Sequence, residues 1–290
     1  MAELALKTAI GSYPHTKPLK DGRVTSPRVA LEHVEFTPAN RAFRPMANEL
    51  AFDVSELAIV TYFVARTMQK PIVLLPVVLM CQPELSLVVC QPDSPLHTPD
   101  DLQGKTIAVR SYTQTTATWV RGILKEEYGL DLGRLKWKTL EASHVDGFQD
   151  PPNAERMPAG TNLFDLLKEG RADAAIIAWE ARETPGIRQF FDDPLGMENA
   201  WAKRRGLTPV NHLLSAKREL LEAHPWVKDE LIRMFQAARE AAAGEAQDEG
   251  QSAGPWGLEA NRTAIETMAR FAYEQGIAPK QFGVDELFDV

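Results

Sequence analysis

The sequence predicts an α/β protein with mostly parallel sheets, and three observations carry that expectation. Short runs rich in Val, Leu and Ile alternate along the chain with segments of helical period, the order that a βαβ chain follows. The 290 residues correspond to roughly two domains at about 150 residues each, enough to bury a large core without staples. Gly, Pro, Asn and Asp punctuate the runs, so that each element has a start and a stop.

In chain order, residues 4–10 alternate as a strand and end at Gly11-Ser12-Tyr13-Pro14, and 29–36 have the same character. Residues 56–68 carry helical spacing at Leu57, Val60, Val64 and Met68, with Asp53 or Ser55 as cap and Pro71 as stop. Strands follow over 72–78 and 84–89. Thr98 caps a turn with Pro99 at its first position and Asp100 and Asp101 facing the positive end of the dipole, and Gly104 ends it before a strand to Val109. An amphipathic helix then runs to Tyr128 and stops at Gly129. A short helix over 162–170 ends at Gly170, and a strand covers 174–178. The remainder is a strand over 210–215 with Ser215 capping a helix through His224, long helices over 226–244 and 258–276, and a loop over 245–257.

Charge and composition exclude several classes. A net charge of −8 removes the basic footprint of a nucleic-acid binder. The two cysteines, Cys81 and Cys90, fit neither a zinc quartet nor a disulfide framework and read as buried small hydrophobes. No His pair stands at i, i+4 and no carboxylate cluster has ligand spacing, so no metal is expected. The apolar run 72–81 falls short of the ~20 residues that span a bilayer, and no membrane partner is expected. Residues 1–7 lack the basic and apolar regions of an export signal, which predicts a cytoplasmic protein.

In a parallel sheet, ligands sit beyond the carboxyl ends of the strands, beside helix N-termini whose free N–H groups favour anions. Four polar segments meet that condition: 11–17, 52–56, 110–116 and 179–182. The third is the richest, with Arg110, Tyr112, Thr113, Thr115 and Thr116 where a helix begins, a set that suits a carboxylate or phosphate. A small anion bearing a carboxylate or phosphate is therefore the expected kind of ligand.

Two further patterns carry a family resemblance. The segments Asp101-Leu102-Gln103-Gly104-Lys105-Thr106-Ile107-Ala108-Val109 and Leu167-Lys168-Glu169-Gly170-Arg171-Ala172-Asp173-Ala174-Ala175 resemble the type 2 periplasmic-binding-protein fold. That implies two lobes around a central cleft, here 1–104 with 185–290 and, inserted between them, 105–184. Phe52-Asp53-Val54-Ser55-Glu56-Leu57, Thr115 to Leu124, His144-Val145, Pro151-Pro152 and Leu221-Glu222-Ala223-His224-Pro225-Trp226 resemble the 4,5-dihydroxyphthalate decarboxylase family. The chain departs from that family in Tyr13-Pro14-His15-Thr16, where an Arg is usual, in Phe43-Arg44-Pro45-Met46, where the Arg is moved by one position, and in Met80-Cys81-Gln82-Pro83-Glu84, where an Arg and a His are missing.

The resemblance implies a decarboxylase that needs no cofactor and whose partner is a small aromatic or other organic acid, a hydroxylated aromatic (di)carboxylic acid like 4,5-dihydroxyphthalate that yields CO2 and a catechol-type acid. Its site requires a proton donor, an anchor for the acid and a base. Histidine changes charge near neutral pH, which makes His212 the first donor and His15 the second. Arg110 is the anchor, supported by Thr113, Thr115, Thr116, Tyr112 and Ser55, and Glu56 or Glu180 is the base. Tyr13, Arg44, Trp179 and Asn211 complete the expected binding set. The rival expectations are a solute-binding protein for a small organic anion and another cytosolic enzyme on the same scaffold.

Overall fold

Two sheets and the helices that follow their strands account for most of the computed structural model, which describes residues 4–244 and 250–289. Residues 245–249 of the expected loop, and 1–3 of the segment read for compartment, lie outside the described residues. The first sheet has the order β2-β1-β3-β11-β4, formed by β1 (Leu4–Ala9), β2 (Val29–His33), β3 (Val54–Ala58), β4 (Ile72–Met80) and β11 (His212–Lys217). β2, β1 and β3 run parallel, while β11 lies antiparallel between β3 and β4. The second sheet has the order β10-β5-β9-β6-β7-β8, formed by β5 (Val88–Cys90), β6 (Thr106–Val109), β7 (Lys136–Thr139), β8 (Ala154–Arg156), β9 (Ala174–Ile176) and β10 (Arg188–Gln189). The fold is thus the expected α/β pair of lobes.

The chain enters the second sheet between Met80 and Val88 and leaves it between Gln189 and His212. The second sheet therefore takes β5 and β10 from outside residues 105–184, and the lobe boundaries expected at 104 and 185 are corrected outward. The cause is long-range pairing of β5 with β9 and β10, which no local pattern announces.

Several elements follow directly from local chemistry. The helix Thr115–Tyr128 ends at Gly129 in a left-handed conformation, φ 70°, which glycine adopts without a steric penalty. Thr98 and Asp101 form a capping box on the short turn Pro99–Leu102, and Asn162 caps Leu163–Lys168. The stretch read as one helix over 56–68 is instead β3 followed by the helix Ile59–Thr67. All five residues of β3 are buried, so the strand shows no polar alternation and its apolar spacing imitates a helical period. Ser215 likewise lies inside β11, and the next helix is Arg218–Ala223.

The helices Ile59–Thr67, Thr115–Tyr128, Pro194–Arg205 and Leu258–Glu274 build the largest core cluster, which continues from one lobe into the other. Trp119 meets Trp201 and Phe271 edge-on, with ring centroids 6.0 and 5.8 Å apart, and its indole N–H donates to the Val210 carbonyl. The helix Leu258–Glu274 reaches this position because residue 122 is glycine. A Cβ there would lie 2.0 Å from Cδ2 of Phe271, a fully buried ring. Gly122→Ala should gain up to about 1 kcal/mol of helix propensity and lose about 1–3 kcal/mol to overpacking. Denaturant unfolding should show a net loss of stability, and a gain would contradict this account of the interface.

Candidate functional site

The carboxyl ends of β1, β3, β6 and β9 converge on one cavity of about 250 Å³, lined from both lobes and at the small end of ligand pockets. Its first wall is built on Glu56. In the β11–β3 register His212 faces Ala58 and Leu214 faces Glu56, which places the His212 ring diagonally across from the Glu56 carboxylate. His212 Nδ1 lies 2.6 Å from Glu56 Oε1, the Tyr13 hydroxyl donates to the same oxygen at 2.7 Å, and the Gly11 N–H donates to Oε2 at 2.7 Å. Gly11 is needed because the Tyr13 ring lies across it, 2.6 Å from where a Cβ would stand.

Glu56 is completely buried, which by itself favours the neutral acid. The bonds from His212, Tyr13 and Gly11 outweigh that burial and hold its pKa below 4.5. The ionised carboxylate is acceptor-only, so His212 Nδ1 carries the proton between them. His212 Nε2, in a ring that lines the cavity, has no hydrogen-bond partner among the described residues. Burial, and then the charge of Glu56, push the Tyr13 hydroxyl well above its ordinary value, so it remains a phenol.

A second wall carries Arg110, at the end of β6. Its Nη1 lies 3.4 Å from Glu141 Oε2 and 3.0 Å from His144 Nε2. Thr113, Gln114, Thr115 and Thr116 follow it along the cavity. A third wall is uncharged amide and hydroxyl: Gln82 Nε2 donates to Thr116 Oγ1 at 3.0 Å, and Asn211 donates to the carboxyl of Glu84 behind it. Burial, and then the nearby Glu198, push Glu84 well above the carboxylate range, so it is a neutral carboxylic acid. Glu198 accepts the N–H groups of Glu84 and Leu85, both at 2.7 Å, yet its own burial raises it to about 7.

Of the residues expected from sequence, Tyr13, Arg110, Thr113, Thr115, Thr116, Trp179, Glu180, Asn211 and His212 line this cavity. The others lie elsewhere. His15 turns into the core, donating Nε2–H to the Leu79 carbonyl at 2.9 Å and stacking on Tyr13; burial lowers its pKa and keeps it neutral. Arg44 faces Asp146 and the Ser143 carbonyl, both at 2.7 Å. The Ser55 hydroxyl donates to the Glu56 carbonyl within β3. Tyr112 bonds the Gln275 carbonyl, and its ring faces the Arg121 guanidinium. Glu56 sits behind the lining with its lone pairs engaged, so it orients His212 rather than acting as a base on a ligand. Phe43, Gln82, Gln114 and His144 also line the cavity, beside Phe36, the 37–40 turn, Thr61 and Met80, and were not expected. His144-Val145 had stood out only as part of the family resemblance, and the polar Gln82 beside Pro83 was the remaining signal.

Among the described residues no group of three or more His, Cys, Asp or Glu side chains is placed to hold a metal ion. No protein-family model matches the chain.

The high pKa of Glu198 has a stability consequence with a definite sign. Between 4.5 and about 7 the unfolded chain releases this proton while the folded protein keeps it, so folding stability falls as pH rises through that window. Glu198→Gln should flatten this decline in denaturant titrations at pH 5 and pH 8. An unchanged slope would show that Glu198 is ionised in the folded state.

Comparison with known proteins agrees with this architecture. The chain is 29% identical over 260 residues to a 4,5-dihydroxyphthalate decarboxylase of Comamonas testosteroni, covering 83% of this chain and 77% of that protein. It is 25% identical over 219 residues to a protein of the same name from Pseudomonas putida, covering 69% of this chain and 82% of that one. Among solved structures it is similar to the periplasmic aliphatic sulphonate binding protein SsuA from Escherichia coli, with a TM-score of 0.64 and 16% identity, covering 98% of this chain and 97% of that one. The SsuA of Xanthomonas axonopodis pv. citri follows with a TM-score of 0.58 at 16% identity, over 99% and 98% of the two chains. These structural likenesses carry the fold alone. In sequence the chain is similar to two proteins named 4,5-dihydroxyphthalate decarboxylase, and its two-lobed fold is similar to that of the periplasmic binding proteins.

Proposed function

We propose that this protein is a decarboxylase of a hydroxylated aromatic (di)carboxylic acid of the 4,5-dihydroxyphthalate kind, releasing CO2 and, from the dicarboxylic acid, a catechol-type monocarboxylic acid. The observation that carries the reading is the buried Glu56 carboxylate holding His212 by Nδ1, in a cavity that also presents Arg110. It supplies a proton donor and an anion anchor on separate walls.

The chemistry follows from the substrate's own electrons. A hydroxyl para to the leaving carboxylate pushes density into the ring, and the carbon bearing that carboxylate takes a proton. The bond to the carboxyl carbon then breaks, its electron pair returns to the ring, and CO2 departs. The ring supplies the electron sink, so the protein's tasks are to donate the proton, hold the acid and exclude water. His212 protonated on both nitrogens donates from Nε2, and the adjacent Glu56 carboxylate stabilises the imidazolium that precedes the transfer. Arg110 pairs with the carboxylate that stays. Thr113, Thr115 and Thr116 offer hydroxyls beside it, and in this reading Glu180, which lines the same cavity, accepts the phenolic proton.

Incubation with 4,5-dihydroxyphthalate and related hydroxybenzoates should release one CO2 per acid consumed. Saturable binding with no product across that panel would favour a solute-binding protein instead. His212→Gln should bind the acid and turn over at least about 10²-fold more slowly, and unchanged turnover would remove His212 from the mechanism. Arg110→Ala should weaken binding by about 2–5 kcal/mol through loss of a buried charged pair. An unaltered dissociation constant would place the anchor elsewhere.

A further inference from the structure

His144 is a half-buried polar side chain of this cavity that the mechanism above leaves unused. It lies in the loop after β7, in the second lobe, and its ring is held from three directions. Nε2 faces Arg110 Nη1 at 3.0 Å and Nδ1 faces Thr61 Oγ1 at 3.0 Å. The edge of the ring meets Phe43, with centroids 5.5 Å apart, and the same Phe43 packs against His212 at 5.0 Å. The backbone is pinned as well: the His144 carbonyl accepts from Asn48 Nδ2 at 2.8 Å, and the Asp146 N–H donates to Asn48 Oδ1 at 3.0 Å. Thr61, Phe43 and Asn48 all belong to the first lobe.

The proton positions follow from donor chemistry. A guanidinium can only donate, so Nε2 must be the bare acceptor and the single ring proton sits on Nδ1, given to Thr61. A proton on Nε2 would set two N–H groups against each other and leave Arg110 with the 3.4 Å contact to Glu141 alone. Glu141 is largely exposed and would draw the guanidinium away from the cavity. The charged and titratable groups around the ring are Arg110, Arg44 and His212, with Glu141 bound to Arg110 and Asp146 bound to Arg44. Burial, followed by the positive charges of Arg110 and Arg44 and by His212, drives the His144 pKa down to about 3.

We propose that His144 is a positioning residue, a neutral imidazole that aims the Arg110 guanidinium into the cavity and ties it, through Thr61, to the opposite lobe. The proposal rests on the reading of Arg110 as the anchor of the acid. It makes the anchor preorganised, since the guanidinium is oriented before the ligand arrives and the cost of ordering a long side chain falls outside the binding step. It also joins the anchor to the contact between the lobes.

Two substitutions separate positioning from mere packing. His144→Phe keeps a flat ring against Phe43 and removes the acceptor. His144→Gln keeps an acceptor oxygen near the place of Nε2. With 4,5-dihydroxyphthalate as the probe, H144F should raise Kd by about tenfold, the loss of one charge-assisted hydrogen bond, with the change in KM rather than kcat. H144Q should recover most of it. A folded H144F that binds as tightly as the parent, or an equal loss in both variants, overturns the proposal. A readout without ligand keeps it distinct from the decarboxylase reading: ¹⁵N spectra of labelled imidazoles should show His144 protonated on Nδ1 alone from pH 6 to 8, with the Nε2 resonance displaced in R110A. A proton on Nε2, or no response to R110A, overturns the positioning role even if CO2 is released. Absence of CO2 from the parent refutes the decarboxylase reading and leaves the spectra to decide on His144.

Discussion

One buried charge organises the site. Glu56 is removed from water and still ionised, a state that holds only while three donors face it. They come from the end of β1 (Gly11), the turn beyond it (Tyr13) and the start of β11 (His212). The requirement therefore fixes the relative position of three chain segments, and it explains a glycine at 11, a phenol at 13 and the tautomer of His212. Moving any one of the segments leaves a carboxylate without a partner, so the geometry of the proton donor is as rigid as the sheet that carries it.

Glu84 shows how much neighbours matter at equal burial. Both carboxyls are fully buried, yet Glu56 lies below the ordinary carboxylate range and Glu84 well above it. Glu56 is surrounded by donors, whereas Glu84 stands beside a second carboxyl, Glu198, and the weaker bonds from Thr116, Gln82 and Asn211 do not compensate for the loss of water. The outcome is a cavity with one charged wall ending in His212, one cationic wall at Arg110 and a neutral amide wall, an arrangement suited to an anion whose two ends are treated differently.

The two lobes are not independent bodies that meet only at a ligand. Trp119, Trp201 and Phe271 continue a single apolar core between them. Asn48, Arg44 and Thr61 of the first lobe bond the 143–146 loop of the second beside the cavity. Apolar burial sets the distance between the lobes, and these polar bonds set the position of the cavity wall.

Local chemistry was legible wherever the controlling groups are neighbours in sequence. The helix Thr115–Tyr128 with Gly129, the Thr98–Asp101 capping box, and the polar turn at Arg110 could all be read because caps and turns act over a few residues. His212 could be named from its residue type, but its partner could not, because Glu56 and His212 are 156 residues apart and β3 imitates a helix. His15 and Ser55 are suited to the site by residue type but face inward, while His144 and Gln82 enter it, and Glu84 backs it, through loops and pairings that no local pattern specifies. By itself the sequence determined the class of fold, the element boundaries set by caps, and the kinds of side chain available for acid chemistry. Tertiary structure alone decided which of them share a cavity and which carboxyls are ionised, because both depend on burial and on donors brought together from distant strands.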